Sequence, residues 1–323
     1  MRLSKYVWVL GVVLFVVLIL QLDIPALLQI LRSIRLEFAI LALVPVVLGD
    51  VLRGYRWCLL IRGLDKGFSL WQSVKGYLMG VAAGALTPGR VGIFVRVPLL
   101  AKEAPMKTEA ALATVLVDTV LDALAVLLLG GVGIVILVVG WKADLRVAFW
   151  LFALIVAGIV AVLLFRHQLV RLVSFLSRKL LPLHFRERAE ETFKEMALLV
   201  KKENHGKLLI ASLLSILSWS LLGLAGYLLA LAFGLPVPVL FVIAVVAVST
   251  FVALLPISIF GLGTREATVI FLFSLAALSK ESAIAFSVIL AIVIAWLPAL
   301  VGAAFYLSGA YRPGSRKERS ARR

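Results

Sequence analysis

Cysteine and histidine are scarce in this chain, and acid is scarce beside base. Cys58 is the only cysteine among 323 residues, so a disulfide framework within the chain is excluded. The three histidines, His167, His184 and His205, are far apart in sequence and show no metal-ligand spacing. No metal and no other cofactor is therefore expected. HExxH, Walker A, GxSxG and dinucleotide-binding patterns do not occur in the context each requires. Gly261-Leu262-Gly263 is not followed by the GK[ST] of a P-loop, which argues against ATP-driven transport by this chain. Only 17 Asp and Glu stand against 33 Lys and Arg.

Apolar residues are what the chain has in excess. They make up 63% of it, charged residues only 15%, and the mean hydropathy is +1.11, far above ordinary soluble domains. Runs at 6–22, 147–165 and 282–308 each reach the length that crosses a hydrocarbon layer of roughly 30 Å. The first run follows Arg2 and Lys5 as a signal peptide would, but it is long and no Ala-x-Ala-like site follows it before Asp23. It is expected to stay as the first helix. In a soluble protein the formal +16 would suggest nucleic acid. Here the basic residues gather in loops and tails, as the positive-inside rule demands, so anionic lipid headgroups are the expected counter-charge and nucleic acid is not.

Walking the chain, a second helix is expected over 38–52, ended by the cluster Asp50, Arg53, Arg56, Arg62 and Lys66 on the cytoplasmic side. Arg53, Arg56 and Trp57 are expected to anchor that helix at the interface, the depth Arg and Trp favour. Residues 69–86 carry Gly76, Gly80 and Gly84 at i, i+4 and i+8, a stripe that lets a helix approach a neighbour closely, and read as a re-entrant helix. Residues 110–140 exceed a straight span, which implies tilt, an extension beyond the bilayer or a bend near Gly130-Gly131-Val132-Gly133. Residues 166–207 interleave Arg and Lys with apolar positions as an amphipathic cytoplasmic segment does. It divides a transmembrane half at 1–165 from another at 208–309, and a basic disordered tail follows at 310–323. The expected fold is an all-α integral membrane protein of about eight transmembrane helices, in two pseudo-repeat halves with both termini cytoplasmic, in the cell membrane.

Two Gly/Pro-broken stretches interrupt this pattern, Leu86 to Arg96 and Leu255 to Glu266. Backbone groups that leave a helix inside a bilayer find no water, so such breaks persist only against protein or a wet cavity. One in each half is the sequence pointer to a transporter binding site. Asp118 and Asp122, four apart, share a helical face with Thr114 one turn earlier. The cations available to them are Arg90, Arg96 and Arg265, and Glu266 adds an acid beside the last. Guanidinium forks match phosphate oxygens. The expected division of labour has the three arginines binding a phosphate-bearing headgroup and the three acids holding them. Gly89 in the first break and Gly263 and Thr264 in the second are expected among the substrate-binding residues, and a helix starting at Gly263-Thr264 would offer N–H groups to an anion. The alternative is that these charges only pair with one another, or snorkel to the interface.

The order Arg53, Arg56-Trp57-x-Leu59-Leu60, then Pro88-Gly89-Arg90-x-Gly92 and Arg96, then the paired acids, then Gly261-Leu262-Gly263-Thr264-Arg265-Glu266 resembles the lysylphosphatidylglycerol synthase transmembrane family. That is the flippase-like domain of the bacterial multiple peptide resistance factor, here standing alone. The resemblance covers nearly the whole chain. It implies a multi-spanning protein that moves an anionic or aminoacylated phospholipid, or a related lipid-linked group, between leaflets. It carries the family's basic and acidic positions onto Arg90, Arg96, Asp118, Asp122, Arg265 and Glu266. Two positions depart: Gly92-Ile93 stands where many members have Gly-Glu, and Asp118-Thr119 where many have Glu-Arg. With only about a dozen residues after the last helix, no aminoacyl-transfer domain is expected, and the chain is not expected to be an enzyme.

Two other functions compete with transport. One is a membrane-embedded transferase acting in lipid-linked glycan assembly or lipid modification, its acids serving as base or metal ligands. The other is a non-catalytic membrane partner of a lipid-modifying enzyme. A homo-oligomer is compatible with each.

Overall fold

The computed structural model describes residues 17, 18, 20, 23–64, 68–104, 106–141, 183–201, 204–254 and 261–309. Among them every regular element is helical. The run expected at 6–22 (apart from 17, 18 and 20), the run at 147–165, residues 166–182 of the basic segment, 255–260 of the second break and the tail from 310 lie outside the described residues.

The chain begins its described course with α1 (Ile24–Arg32), started by the Asp23 carboxylate accepting from Ala26 N–H at 3.2 Å and by Pro25 in the first turn. Then come α2 (Leu36–Leu41), α3 (Leu43–Ile61) and α4 (Leu70–Ala85), a 3₁₀ segment (Pro88–Val95), α5 (Arg96–Glu103), α6 (Thr108–Trp141), α7 (Leu183–Leu199), α8 (His205–Ala232), α9 (Val239–Leu254), α10 (Thr264–Ser274), α11 (Lys280–Ala291), a π-helical turn (Ile292–Trp296) and α12 (Leu297–Leu307). The protein is an all-α membrane protein. Three continuous helices, Thr108–Gly140, His205–Ala232 and Lys280–Leu307, are long and apolar enough to span a bilayer, and α9 is a shorter apolar one.

Lipid exposure explains what these helices show on their outsides. On α6, Val120, Leu124, Leu128, Val132 and Val135 are exposed at spacings of three and four, and on α8 Leu209, Leu213, Leu217 and Leu224 are. In water such stripes form an adhesive patch. In hydrocarbon they are the outer wall. The opposite faces make the core: Ile134 and Leu137 of α6, Leu222 and Leu229 of α8, Phe241 and Val245 of α9, Phe273 of α10 and Phe286 of α11 form one buried cluster. α6 runs as one helix through Gly130 and Gly133. They let it touch α9, since a Cβ at Gly133 would come within 3.1 Å of the Ala244 carbonyl.

Three elements matter for the site, and two of them differ from the sequence reading. The second helix does not end at 52. It continues as α3 to Ile61 and buries Asp50, Arg53, Arg56 and Trp57 rather than handing them to the interface. Stopping a helix at its first charges fails here because those charges find partners on α6 inside the protein. The glycine stripe of α4 receives the 3₁₀ segment and α5: a Cβ at Gly80 would lie 2.8 Å from Arg96 Cδ, and Gly84 faces Ile93 and Arg90. On another side α4 meets α12, where Gly302 sits against the Leu78 carbonyl. Finally, the span at 280–307 is not uniform. Pro298 has no N–H, and its ring collides with the carbonyl four residues back in a regular helix, Ile294. The wider π-helical turn relieves that collision.

The basic segment is described from α7 onward. Its helix lies along the start of α6, with Leu199 buried beside Leu60, Ala113 and Ala211. Exposed ion pairs Lys107–Glu191 (3.6 Å) and Arg188–Glu109 (3.8 Å) flank the contact. Pairs this exposed contribute little. The apolar packing holds the helix there.

Candidate functional site

Two arginines one turn apart on α3 organise the interior, and they are treated differently. Arg56 is 1% exposed and has a partner on every side. Its Nε donates to Asp118 Oδ1 at 2.7 Å, and its Nη1 to Asp122 Oδ1 at 2.7 Å and to Ser215 Oγ at 2.8 Å. The Ser215 hydroxyl donates to the Ala211 carbonyl at 3.0 Å. The other oxygen of Asp118, Oδ2, accepts from Arg96 Nη1 at 2.8 Å. The Arg96 guanidinium lies over the Trp57 ring at 5.0 Å, and Trp57 Nε1 donates to Thr114 Oγ1 at 3.3 Å. This knot ties α3, α5, α6 and α8 together. Its like-charged acids tolerate one another because two guanidinium groups lie between and beside them.

Arg53 is also buried, at 4% exposure, but it is only partly satisfied. Nη1 donates to Asp50 Oδ1 at 3.2 Å, one turn back on the same helix. Nε is 4.0 Å from Asp122 Oδ1, too far for a hydrogen bond, and Nε and Nη2 have no hydrogen-bond partner. One face of the guanidinium is covered by the Trp219 ring, 4.5 Å away. Trp219 Nε1 in turn donates to Asp122 Oδ1 at 3.0 Å.

A cavity of about 70 Å³ lies beside Arg53, with Asp50, Tyr77, Arg90, Asp122, Trp219 and Arg265 in its wall. A second, of about 270 Å³, is lined by Arg56, Arg90, Arg96, Asp118 and Asp122. Tyr77, Val81, Arg90 and Asp122 belong to both, so the two are neighbours across those side chains. Together they reach the low end of ligand-sized pockets, roughly 300–1,000 Å³. Ile294 and Ala295, from the π-helical turn, close the smaller one.

Both chain breaks reach this space. Arg90 stands in the 3₁₀ segment with φ of +58°, in the left-handed region that costs an L-residue about 1–2 kcal/mol. Strain of this kind marks positions where the backbone is held for a purpose. Gly92 makes the turn possible, because a Cβ there would meet the Ala83 carbonyl at 2.1 Å. In the other break Gly261 and Gly263 have φ of +77° and +82°, and α10 starts at Thr264. Arg265, 5% exposed, pairs with its neighbour Glu266 (Nη2 to Oε1, 2.8 Å), whose Oε1 also accepts from Ser287 Oγ at 3.2 Å.

Arg90, Arg96, Arg265, Asp118 and Asp122 thus line a common interior, with Glu266 directly behind Arg265. Each expected acid does hold an arginine, but the partners are redistributed. Asp118 and Asp122 take Arg56, which the sequence reading set aside at the interface, and Arg265 relies on Glu266. The start of α10 is already neutralised: Glu266 Oε2 accepts from Gly263 N–H at 2.6 Å, so an internal carboxylate stands where an external anion was expected. The Thr264 hydroxyl donates to the Gly261 carbonyl at 3.2 Å, and neither Gly263 nor Thr264 lines the cavities. Gly89 lies within the 3₁₀ segment.

Comparison with known proteins gives the same placement. The family described as Lysylphosphatidylglycerol synthase TM region matches residues 7–302. The chain belongs to that family. Among curated relatives it is similar to a protein named UPF0104 membrane protein from Methanothermobacter thermautotrophicus, with 24% identity over 297 residues, covering 85% of this chain and 83% of the relative. In this member of the lysylphosphatidylglycerol synthase transmembrane family, the signal for Arg53 was present in the sequence. Asp50, Arg53 and Trp57 recur at three and four residues, which is one face of a single helix.

Proposed function

We propose that this protein moves a phosphate-bearing lipid, anionic or aminoacylated, between the leaflets of the cell membrane. The observation that carries this reading is the meeting of Arg90 and Arg265, one from each chain break, with Arg53 at one buried cavity. Interior charge is costly in a membrane protein and by default points to a functional site. Here the surplus of guanidinium over carboxylate suits an anion. Broken backbone beside the cavity suits a site at membrane depth. Family membership supports a lipid-related role in the membrane.

In this reading Arg56 and Arg96, tied to Asp118 and Asp122, are the frame. Arg53, Arg90 and Arg265 face the cargo. The acyl chains stay in the hydrocarbon while the headgroup crosses through the cavity. The test is translocation of a headgroup-labelled phospholipid in sealed liposomes containing the purified chain, with and without Arg265→Gln. Loss of translocation in a variant that stays monodisperse is the expected result. Unchanged translocation overturns the reading, and product formation in detergent, where no leaflets exist, replaces it with a transferase.

A further inference from the structure

A third cavity, of about 50 Å³, lies between α6, α8 and α9, with Leu129, Val132, Ile136, Ile243 and Ala247 among its walls. Its lining is mostly apolar, and Val132 and Ser220 on its rim are exposed on the outer face. It shares two residues with the arginine cavity, Trp219 and Thr250. Trp219 therefore stands between the two spaces. Its indole N–H is committed to Asp122 and its ring carries the Arg53 guanidinium, while the residue also walls the apolar groove. A polar edge facing charge and an apolar body facing hydrocarbon is the natural setting of an indole at the junction of headgroup and chain.

Charge sets what belongs on the polar side. Among the described residues around the two arginine cavities, Arg53, Arg56, Arg90, Arg96 and Arg265 face Asp50, Asp118, Asp122 and Glu266. One positive charge is left over. Arg53 lines the smaller space, and two of its guanidinium nitrogens, Nε and Nη2, are buried with no hydrogen-bond partner among the described residues. A buried donor without an acceptor is unfavourable, and a single negative charge accepting from it removes both the excess charge and the empty donors.

Resting on the lipid-transport reading above, the geometry points to a seat for one lipid phosphodiester: its single negative phosphate on Arg53, between Arg90 and Arg265, and the first methylenes of one acyl chain in the α6–α8–α9 groove, with Trp219 dividing them. Continuity of polar seat and apolar groove at Trp219 and Thr250 assigns the seat to a lipid rather than to free phosphate. Arg53 is the specificity-determining residue for the headgroup and Ala247 lines the chain track.

The experiment measures binding, not movement. The full chain in maltoside micelles, which hold no phosphate, is loaded with radiolabelled dihexanoyl phosphatidylglycerol, and three competitors are compared: the same lipid unlabelled, glycerophosphoglycerol without chains, and inorganic phosphate. Removing the chains weakens competition roughly tenfold through lost methylene burial. Ala247→Phe, which fills the groove, weakens the lipid roughly tenfold and leaves glycerophosphoglycerol unchanged. Arg53→Gln weakens both by roughly 30-fold, the effect of losing charged hydrogen bonds. Arg53→Lys, which keeps the charge without the fork, loses roughly tenfold and serves where the glutamine variant is not monodisperse. Wild-type affinity in the Arg53 variants overturns the seat, and so does glycerophosphoglycerol or phosphate competing as well as the lipid. Binding that follows this pattern without translocation in sealed liposomes upholds the seat and sinks the transport reading alone. Translocation with no change of binding in the variants does the reverse.

Discussion

Arg53 and Arg56 share a helix, a residue type and near-complete burial, yet one is locked and the other open. Arg56 spends its donors on Asp118, Asp122 and Ser215 and joins three helices. Arg53 has one hydrogen bond, to an acid on its own helix, and two guanidinium nitrogens without a partner, and it lines a cavity. Burial alone does not tell a structural charge from a functional one. The state of its donors does: a satisfied buried ion pair resists change from outside, whereas an unsatisfied one is stabilised by whatever anion arrives.

Breaking the locked side has the largest expected effect. Asp118→Asn strands Arg56 and Arg96 in the interior and should cost about 3–5 kcal/mol, the loss typical of removing one member of a buried pair. Thermal unfolding in detergent reads it. An unchanged melting temperature would mean that water already solvates the knot. On the open side, Arg53→Gln should cost less, about 1–3 kcal/mol, because it removes one hydrogen bond to buried Asp50 along with two nitrogens that had no partner. The same variant should lose lipid translocation. A collapse in stability would make Arg53 part of the frame and erase the contrast. Arg90→Gly exchanges a strained left-handed arginine for the residue that tolerates that backbone, so relief of about 1 kcal/mol of strain should offset part of what the lost side-chain contacts cost, while translocation falls. Smallest is Trp219→Phe, which keeps the ring over Arg53 and loses the bond to Asp122, for about 1 kcal/mol or less of stability. If it also weakens lipid binding, the indole N–H places Asp122 as well as dividing the spaces.

The sequence carried the membrane class, the two breaks and the pairing of Asp118 with Asp122, because hydrocarbon penalises charge and bare backbone so heavily that exceptions stand out. It carried the close approach of α4 to its neighbours through Gly80 and Gly84. The partners were harder to read. Arg56 was taken for an interfacial anchor because a basic residue after an apolar run normally is one. Only the fold shows that the run continues and that Asp118 waits across it, 62 residues away in the chain. Glu266 was expected to hold Arg265, and does, but its second task at the Gly263 N–H depends on a turn with a left-handed glycine. The apolar groove had no local signal: Leu129, Ala247 and Thr250 are ordinary residues whose surfaces become a groove only when α6, α8 and α9 are packed.

The π-helical turn at Ile292–Trp296 leaves the last span built as two rods with a loosened joint. Its upper rod is gripped through Phe286 by the aromatic cluster with Phe273, and its lower rod is pressed by Gly302 onto the backbone of α4. The joint itself borders the arginine cavity through Ile294 and Ala295. α4 therefore bears on the rod beyond the joint, and the joint lies in the wall of the arginine cavity.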